Sequence, residues 1–599
     1  VAENFKPIYA FKNATIVSRP GVEIKNGILI IRGDKILALD TKLNIPNSAI
    51  VYDLDGDYIY PSFIDLYSDY GIPKSKKEDY TPVPQYKSKK EGAFHWNEAI
   101  HPEVNASEKF TTDNNDAKKY LSNGFGSVLT HNKDGIMRGS ATFVSLSKKS
   151  DNENILIMDA AAVYSFKKGV SKQKNPSSLM GSIALIRQTY LDAEWYKGQK
   201  NQTNLSYNAF IKQQKLPQIF SVDDELDYSR VLKIADEFEI DFIIKGNGKE
   251  FLQISELVKA KSPLIIPLTF PNAYEVNNPE TTEWISLEKL KNWEAAPYNP
   301  AILANNQIDF CITSAGLKDN KSFLKKLQLA VKKGLSHDDA LAALTITPAS
   351  LIGIENKTAT LEKGMLANFI ITSENIFDDG FIYENWTLGE QNIIKEKQAI
   401  DFRGYYTFNS KEFESETIII EGSLSKPKTK FPALDSNSVI TNINENIINI
   451  FNADGSFRSI GKLINNNISG RYQNKDGKYF NFSMSRDSLF NDMKKNNVLV
   501  NNSNIIPENW FPNKAFGFED LPTYKSIHFK NATIWTNENE GILENYDLII
   551  SKGQIIAIGE LLNPMDFLND EEVFTTINAS ELHLTSGIID EHSHIAISR

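Results

Sequence analysis

Cysteine and histidine are scarce in this 599-residue chain, and both shortages restrict its chemistry. The single cysteine, Cys311, excludes an intrachain disulfide and a zinc cluster built on cysteine. Only eight histidines are available as metal ligands. Long apolar runs are missing too, since no stretch of about 18 apolar residues could span a bilayer. We therefore expect a soluble protein without a membrane span.

Basic residues are fewer than acidic residues, 65 against 76, so the formal net charge is -11 at pH 7. This acidic balance argues against a protein that mainly binds nucleic acid. Lysine clusters at 74–77 and 87–90 lie in a polar stretch, which favours a solvated loop, with anion binding as the alternative. The chain starts at Val1 without a methionine or a leader, so we expect an upstream piece, for example a signal peptide, that was either removed or never recorded. A periplasmic or secreted bacterial protein is favoured over a cytoplasmic one.

The chain contains an internal repeat, in which three segments near the start recur in the same order near the end. The pairs are "FKNATIV" (11–17) with "FKNATIW" (529–535), "LIIRGDKILALD" (29–40) with "LIISKGQIIAIG" (548–559), and "YIYPSFIDLYSDYG" (58–71) with "LHLTSGIIDEHSHI" (582–595). Three ordered matches indicate a duplicated module whose second copy is cut off. Each copy reads as short antiparallel strands of a small sandwich that lead into a buried strand.

Between the two copies, strand and helix patterns alternate. The apolar strand candidates lie at 126–132, 153–160, 241–246, 262–270 and 308–314. Helical patterns separate them, for example at 227–239 and 321–334. This alternation favours a (β/α)8 barrel. A doubly wound open sheet is the alternative, although no glycine-rich phosphate loop supports it.

The patterns divide the chain into six segments. They are the first part of a composite β-sandwich (1–60), a degenerate barrel with a long insertion at 71–110 (61–345), the return part of the sandwich (346–400), an inserted antiparallel β domain (401–522), the first part of a second sandwich (523–585) and the first strand of a second, truncated barrel (586–599).

Several of these motifs resemble the metal-dependent amidohydrolase superfamily. The family's signature "P-G-x-I-D-x-H-x-H" is similar to "SGIIDEHSH" at 586–594, and its exit pattern is similar to residues 334–373. Asn368 stands where the family usually has aspartate. The resemblance, over 1–380 and 526–599, implies a TIM-like barrel flanked by a urease-type composite sandwich. The additional antiparallel β domain lies outside it.

The resemblance implies that His592 and His594 are the first two ligands of a divalent metal, zinc being preferred. Residues two apart on a strand point the same way, so both imidazoles can face the mouth of a barrel. Asp590 would be the partner that orients them. A lone H-x-H pair is weak evidence, but the repeat and the surrounding motif strengthen it.

In the first copy, Asp65 keeps the position of Asp590, while Tyr67 and Asp69 replace the two histidines. The family draws further ligands from later strand ends, and here those ends carry other residues, such as Lys245 and Thr313. We therefore predict that the first barrel has lost its metal site. The two histidines and two glutamates of 95–103 favour a loop packed over the barrel, with a separate metal site as the alternative.

These interpretations give two hypotheses for the function. The first is an enzyme that hydrolyses a C–N bond of a small amide through its C-terminal module when full length, and is inactive as 1–599. N-acyl amino acids, dipeptides and cyclic amides are equally suitable substrates, and a homo-oligomer is compatible with the sequence. The second is a non-catalytic binding or assembly protein built on the vestigial barrel.

Overall fold

The computed structural model describes residues 6–75, 82–199, 201–397, 401–413, 415–423, 426–434, 439–444, 447–464, 467–489, 523–569 and 573–592. They form two compact units, the first with all strands up to residue 489 and the second with the strands from residue 526 onward. Within these ranges, no helix has the length and apolar character that a bilayer crossing requires.

An eight-stranded sheet is assembled from two separate segments of the first module. Its strands are β1 (Ile8–Arg19), β2 (Val22–Arg32), β3 (Lys35–Asp40), β4 (Ile50–Asp53), β5 (Tyr58–Pro61), β14 (Phe369–Thr372), β15 (Ile382–Thr387) and β16 (Glu390–Ile393). The segments join where β14 pairs antiparallel with β5. Phe11 packs edge-on against Phe369 and Trp386, with ring centroids 5.0 and 5.1 Å away. Within the segment 346–400, a short helix at Ile346–Leu351 comes first, and the return strands begin at Phe369.

Asn368 has a structural role at the start of the return strands. Its side chain is buried, and its Oδ1 accepts a hydrogen bond from the backbone N–H of Leu388 at 2.7 Å. An amide oxygen can serve as this acceptor as well as a carboxylate, without the cost of burying a charge. The asparagine therefore fits its position.

The second sheet of this unit has eight strands and forms a barrel. They are β6 (Phe63–Ser68), β7 (Phe125–Thr130), β8 (Met137–Ser145), β9 (Ile155–Ser165), β10 (Gln218–Ser221), β11 (Phe242–Lys245), β12 (Leu264–Pro267) and β13 (Phe310–Thr313), paired in that order. The first and last strands meet where Thr313 Oγ1 donates to Asp65 Oδ1 at 2.6 Å. A buried apolar cluster with members from all eight strands includes Cys311. The interior is thus a packed core, as small barrels require.

Twelve α-helices lie in the described residues of this unit. They are α1 (Asn114–Leu121), α2 (Asp151–Asn154), α3 (Leu179–Lys197), α4 (Leu205–Gln213), α5 (Asp227–Phe238), α6 (Ile254–Ala260), α7 (Pro279–Glu283), α8 (Leu287–Ala295), α9 (Asn299–Asn305), α10 (Phe323–Lys332), α11 (His337–Leu344) and α12 (Ile346–Leu351). In α5, Tyr228, Val231 and Ile234 are buried at a spacing of three residues, which places one apolar face against the barrel core.

Strand β8 corrects the expectation of a regular (β/α)8 barrel, because it runs antiparallel to both of its neighbours. The segment from β7 to β8 covers only 131–136. A parallel crossover needs about a dozen residues or more. A connection as short as 131–136 therefore permits only an antiparallel hairpin. Part of the insertion at 71–110 lies along β8, through the bridges Ile100↔Met137 and Asn105↔Ser140.

A third, antiparallel sheet follows within 401–522. Its strands are β17 (Gly404–Ser410), β18 (Glu416–Ser423), β19 (Lys426–Lys430), β20 (Val439–Asn444), β21 (Ile447–Asn452), β22 (Arg458–Ile464), β23 (Asn467–Gln473) and β24 (Tyr479–Leu489). Its edge strands meet where Thr441 Oγ1 donates to Thr429 Oγ1 at 2.7 Å. Phe408 stacks on Phe482 in the core, with ring centroids 4.9 Å apart. Residues 490–522 lie outside the described part.

The second unit repeats the start of the first. Its strands are β25 (Ser526–Trp535), β26 (Ile542–Ser551), β27 (Gln554–Gly559), β28 (Phe574–Asn578) and β29 (His583–Leu584). Phe529 pairs with Leu548 as Phe11 pairs with Leu29. Asn13 and Asn531 both adopt left-handed backbone angles, with φ of 59° and 57°. The identical "FKNATI" segments thus fold with the same pairing and the same kink.

Candidate functional site

The ends of neighbouring strands form the mouth of the first barrel. Ser165, Ser221 and Lys245 are the last residues of β9, β10 and β11, and they pair across the sheet. Because β8 runs in the opposite direction, its first residues lie at this same edge. The reversed strand therefore brings Arg138 to the mouth, where it reaches Ser165 Oγ from Nη2 at 2.9 Å.

Asp65 lies fully buried at the junction of β6 and β13. Its Oδ1 accepts from the backbone N–H of Tyr67 at 3.0 Å and from Thr313 Oγ1. Its Oδ2 accepts from Ser314 N at 2.9 Å and from Ser314 Oγ at 2.7 Å. Burial raises the pKa of Asp65, and the hydrogen bonds from Thr313 and Ser314 oppose this rise. The carboxylate fastens the first strand to the last one.

Tyr67 and Asp69, which replace the two histidines of the motif, are both engaged by cations. The Tyr67 hydroxyl accepts a hydrogen bond from Arg138 Nη1 at 2.8 Å. The Asp69 carboxylate pairs with Lys133 Nζ at 3.0 Å. Burial favours the neutral phenol, but Arg138, Ser221 and two lysines outweigh it and lower the pKa of Tyr67. These positions are therefore surrounded by positive charge.

Arg138 and Lys245 carry charges that no carboxylate within the described residues pairs with. Arg138 is 4% exposed, and it donates to the Gly135 carbonyl, the Tyr67 hydroxyl and Ser165 Oγ. Lys245 Nζ lies 5.2 Å from the centre of the Tyr67 ring and makes no hydrogen bond or ion pair in the described part of the chain. Burial lowers the pKa of Lys245. This differs from the acid-paired lysine that a strand end usually carries.

His131 completes the cluster. Its ring lies edge-on to Tyr67, with centroids 4.7 Å apart. Nδ1 donates to the Asn132 carbonyl at 2.8 Å, so Nε2 is left as an acceptor, buried and without a partner among the described residues. Burial, together with Arg138, lowers the pKa of His131 to about 3. The imidazole is therefore neutral at physiological pH.

The two histidines of the insertion, His95 and His101, make hydrogen bonds to the backbone. His95 Nδ1 accepts from the backbone N–H of Asn97 at 3.0 Å. Both ring nitrogens of His101 lie against backbone carbonyls, those of Glu98 and Asp134. Glu103 pairs with Lys90 at 2.8 Å. In the described ranges, no three His, Cys, Asp or Glu side chains form a group that could hold a metal ion.

The motif of the second copy is described up to His592, and His594 lies outside the described residues. Asp590 Oδ1 accepts from the backbone N–H of His592 at 3.1 Å. The same contact joins Asp65 to Tyr67 at 3.0 Å in the first copy. The same backbone-to-carboxylate hydrogen bond is thus present in both copies, although Asp65 lies in a buried strand and Asp590 lies in an exposed segment without strand structure.

No family model and no curated protein matches this sequence. Solved structures do match. An amidohydrolase from Thermotoga maritima MSB8 is 20% identical, with 64% of this chain and 99% of that one covered and a TM-score of 0.50. The chain has an amidohydrolase fold. The resemblance is therefore confirmed at the level of the fold, a TIM-like barrel with a β-sandwich.

Two further solved structures match with lower TM-scores. A beta-aspartyl dipeptidase from Fervidobacterium islandicum AW-1 is 13% identical, with 66% of this chain and 100% of that one covered and a TM-score of 0.40. An N-acetylglucosamine-6-phosphate deacetylase from Pasteurella multocida is 13% identical, with 64% and 100% covered and a TM-score of 0.29.

Sequence reasoning did not identify Arg138 as part of the site. The signal was "MRGSATFVS" at 137–145, a stretch rich in small, β-branched and aromatic residues that is typical of a strand. An arginine in such a stretch normally points to solvent, so its burial became visible only with the reversed strand direction.

Proposed function

We propose that the full-length protein is a metal-dependent hydrolase of C–N bonds, and that its catalytic site belongs to the module that begins with the second copy of the repeat. In this proposal the first barrel is non-catalytic. The observation that carries it is the exchange of the H-x-H pair for Tyr67 and Asp69, whose oxygens contact Arg138 and Lys133. The same positions of the second copy hold His592 and His594.

The residues of the first barrel do not fit a divalent cation. A metal at the first-strand positions would lie beside the guanidinium of Arg138 and near Lys245, and Coulomb repulsion would oppose its binding. The free acceptor there, His131 Nε2, is a single ligand, whereas zinc usually takes three or four protein ligands.

The residues of the second copy are of the right kind for a metal site. His592 and His594 offer imidazole nitrogens, and the carboxylate of Asp590 fixes the turn before them through the His592 N–H. Further ligands would come from the rest of the module in the full-length protein. When bound, a divalent metal, zinc in our proposal, lowers the pKa of water toward about 7 and polarises a carbonyl oxygen. The substrate would be a small amide.

The test compares His592→Ala/His594→Ala with His583→Gln in the full-length protein. His583 lies on β29 of the same copy and accepts a hydrogen bond from Trp535 Nε1 at 2.9 Å, so it serves as a matched histidine control. We expect the double variant to lose bound zinc and hydrolysis of an N-acyl amino acid, a dipeptide or a cyclic amide, while His583→Gln keeps both. Unchanged hydrolysis in the double variant would refute the assignment.

A second experiment tests the first barrel by itself. The 1–599 chain should show no amidase activity and only weak zinc binding, because two imidazoles cannot complete a tetrahedral site. Tight, stoichiometric zinc in the double variant of this chain would contradict a metal-free first barrel.

The alternative, a non-catalytic binding protein, is favoured by a different observation. Arg138 and Lys245 leave two positive charges at the mouth of the first barrel without a carboxylate partner in the described residues. A full-length protein that retains ligand binding but never hydrolyses an amide would support this alternative.

A further inference from the structure

We propose that the mouth of the first barrel binds a small carboxylate that carries a hydrogen-bond donor, held between Arg138 and Lys245. The site goes beyond the proposed function, because it needs no residue of the second module. It gives the non-catalytic barrel a ligand of defined chemistry.

The guanidinium of Arg138 is the first part of the site. Three of its five N–H groups donate to neutral oxygens, those of Gly135, Tyr67 and Ser165. A buried arginine is normally paired with an anion, because its desolvation is otherwise uncompensated. Two N–H groups thus remain for an anion, and a carboxylate matches the planar fork of a guanidinium.

The ammonium group of Lys245 is the second part. It lies on the face of the Tyr67 ring, whose hydroxyl contacts Arg138, so that one aromatic side chain separates the two cations. Lys245 is intermediate in exposure, whereas Arg138 is buried. The neighbouring Lys133 is already paired with Asp69 at 3.0 Å. Of the three cations around Tyr67, Arg138 and Lys245 therefore remain for a ligand.

The imidazole of His131 gives the second, independent indication. Its residue is 1% exposed, and Nε2 has no hydrogen-bond partner within the described residues. A buried acceptor without a partner is unfavourable, and a ligand hydroxyl or N–H would satisfy it. The ring packs against Tyr67 and so borders the same cluster. A carboxylate with an adjacent donor satisfies all three groups.

The test is calorimetric titration of the 1–599 chain with glycolate, which has a carboxylate beside a hydroxyl. Acetate lacks the hydroxyl, and inorganic phosphate is an oxyanion of different shape. We expect saturable glycolate binding that is tighter than acetate or phosphate binding. Lys245→Met should weaken it roughly 10- to 100-fold, the usual loss for a hydrogen bond to a charged group.

Two further variants separate the site from general charge effects. Lys212→Met removes an exposed lysine that pairs with Asp159 at 3.4 Å, and it should bind glycolate like the wild type. Arg138→Met should abolish binding. Because Arg138 is buried, its replacement risks misfolding, and the result for Lys245→Met is therefore the decisive one.

Three outcomes would overturn the proposal. They are no saturable binding of glycolate, equal weakening by Lys245→Met and Lys212→Met, and binding of phosphate or acetate at least as tight as that of glycolate. All three are independent of amide hydrolysis by the full-length protein, so failure of this site and failure of the proposed function can be told apart.

Discussion

The buried imidazole of His131 should make the first barrel sensitive to mild acid. Burial and the nearby Arg138 lower the pKa of His131 from 6.5 to about 3. In the unfolded chain the imidazole takes up a proton at its ordinary pKa, whereas in the folded barrel it stays neutral. The stabilisation is therefore complete above pH 6.5 and is lost as the pH falls toward 3.

The size of this effect follows from the shift. When one proton binds only to the unfolded state, each pH unit below 6.5 lowers the free energy of unfolding by about 1.4 kcal/mol. Acidification from pH 7 to pH 5 should therefore reduce the free energy of unfolding by about 2 kcal/mol through His131. His131→Gln removes the titrating group, so this part of the pH dependence should disappear.

The assay uses Cys311, the single cysteine of the chain and a buried residue of the barrel core. In urea titrations at pH 7 and pH 5, a pyridyl disulfide reagent labels Cys311 only in molecules whose barrel has opened. The wild type should lose about 2 kcal/mol more than His131→Gln between the two pH values. His583→Gln, in the second unit, should behave as the wild type does. Parallel losses in the wild type and His131→Gln would refute the reasoning.

Three further predictions concern the barrel. Asp65→Ala removes the acceptor of four hydrogen bonds, so it should lower the free energy of unfolding by about 3 kcal/mol or more, measured by Cys311 labelling. A loss below about 1 kcal/mol would contradict the role of this carboxylate. Gly139→Ala should cost about 2 kcal/mol or more in the same assay, because φ is 87° and an added Cβ would lie 1.9 Å from the Val104 carbonyl oxygen. Wild-type stability of this variant would show that β8 does not need a glycine at this close approach. Near-ultraviolet titration should show one tyrosine that ionises below its usual range and vanishes in Tyr67→Phe, and an unchanged titration in that variant would exclude Tyr67 as the group.

The repeat made the sandwich strands predictable, because they are defined by local patterns. The three ordered matches predicted short strands in both copies, and the structure has them with the same pairing at Phe11 and Phe529. Alternating strands and helices likewise indicated the barrel. These features depend on hydrophobic periodicity and turn residues, which a sequence displays directly.

The direction of β8 was not predictable in the same way. Strand direction depends on the length of the connection at 131–136, and no periodic signal marks it. The roles of Arg138 and Lys245 depend in turn on that direction, because burial of a cation is decided by neighbours far away in the chain. The metal ligation by His592 and His594 remains a prediction.

The similar hairpins of the two copies have a consequence for folding. Residues 8–32 and 526–551 share the bulges after Phe11 and Phe529 and the left-handed asparagines, although their strands differ slightly in length. During synthesis the amino-terminal hairpin emerges first and can pair with its own neighbours before its duplicate exists. On refolding from denaturant both are present together, and β25 can compete with β1 for β2. The fraction of chains that reach the native fold should therefore be lower on refolding from denaturant than during synthesis. The sequence differences between the two hairpins outside "FKNATI" would protect against strand exchange.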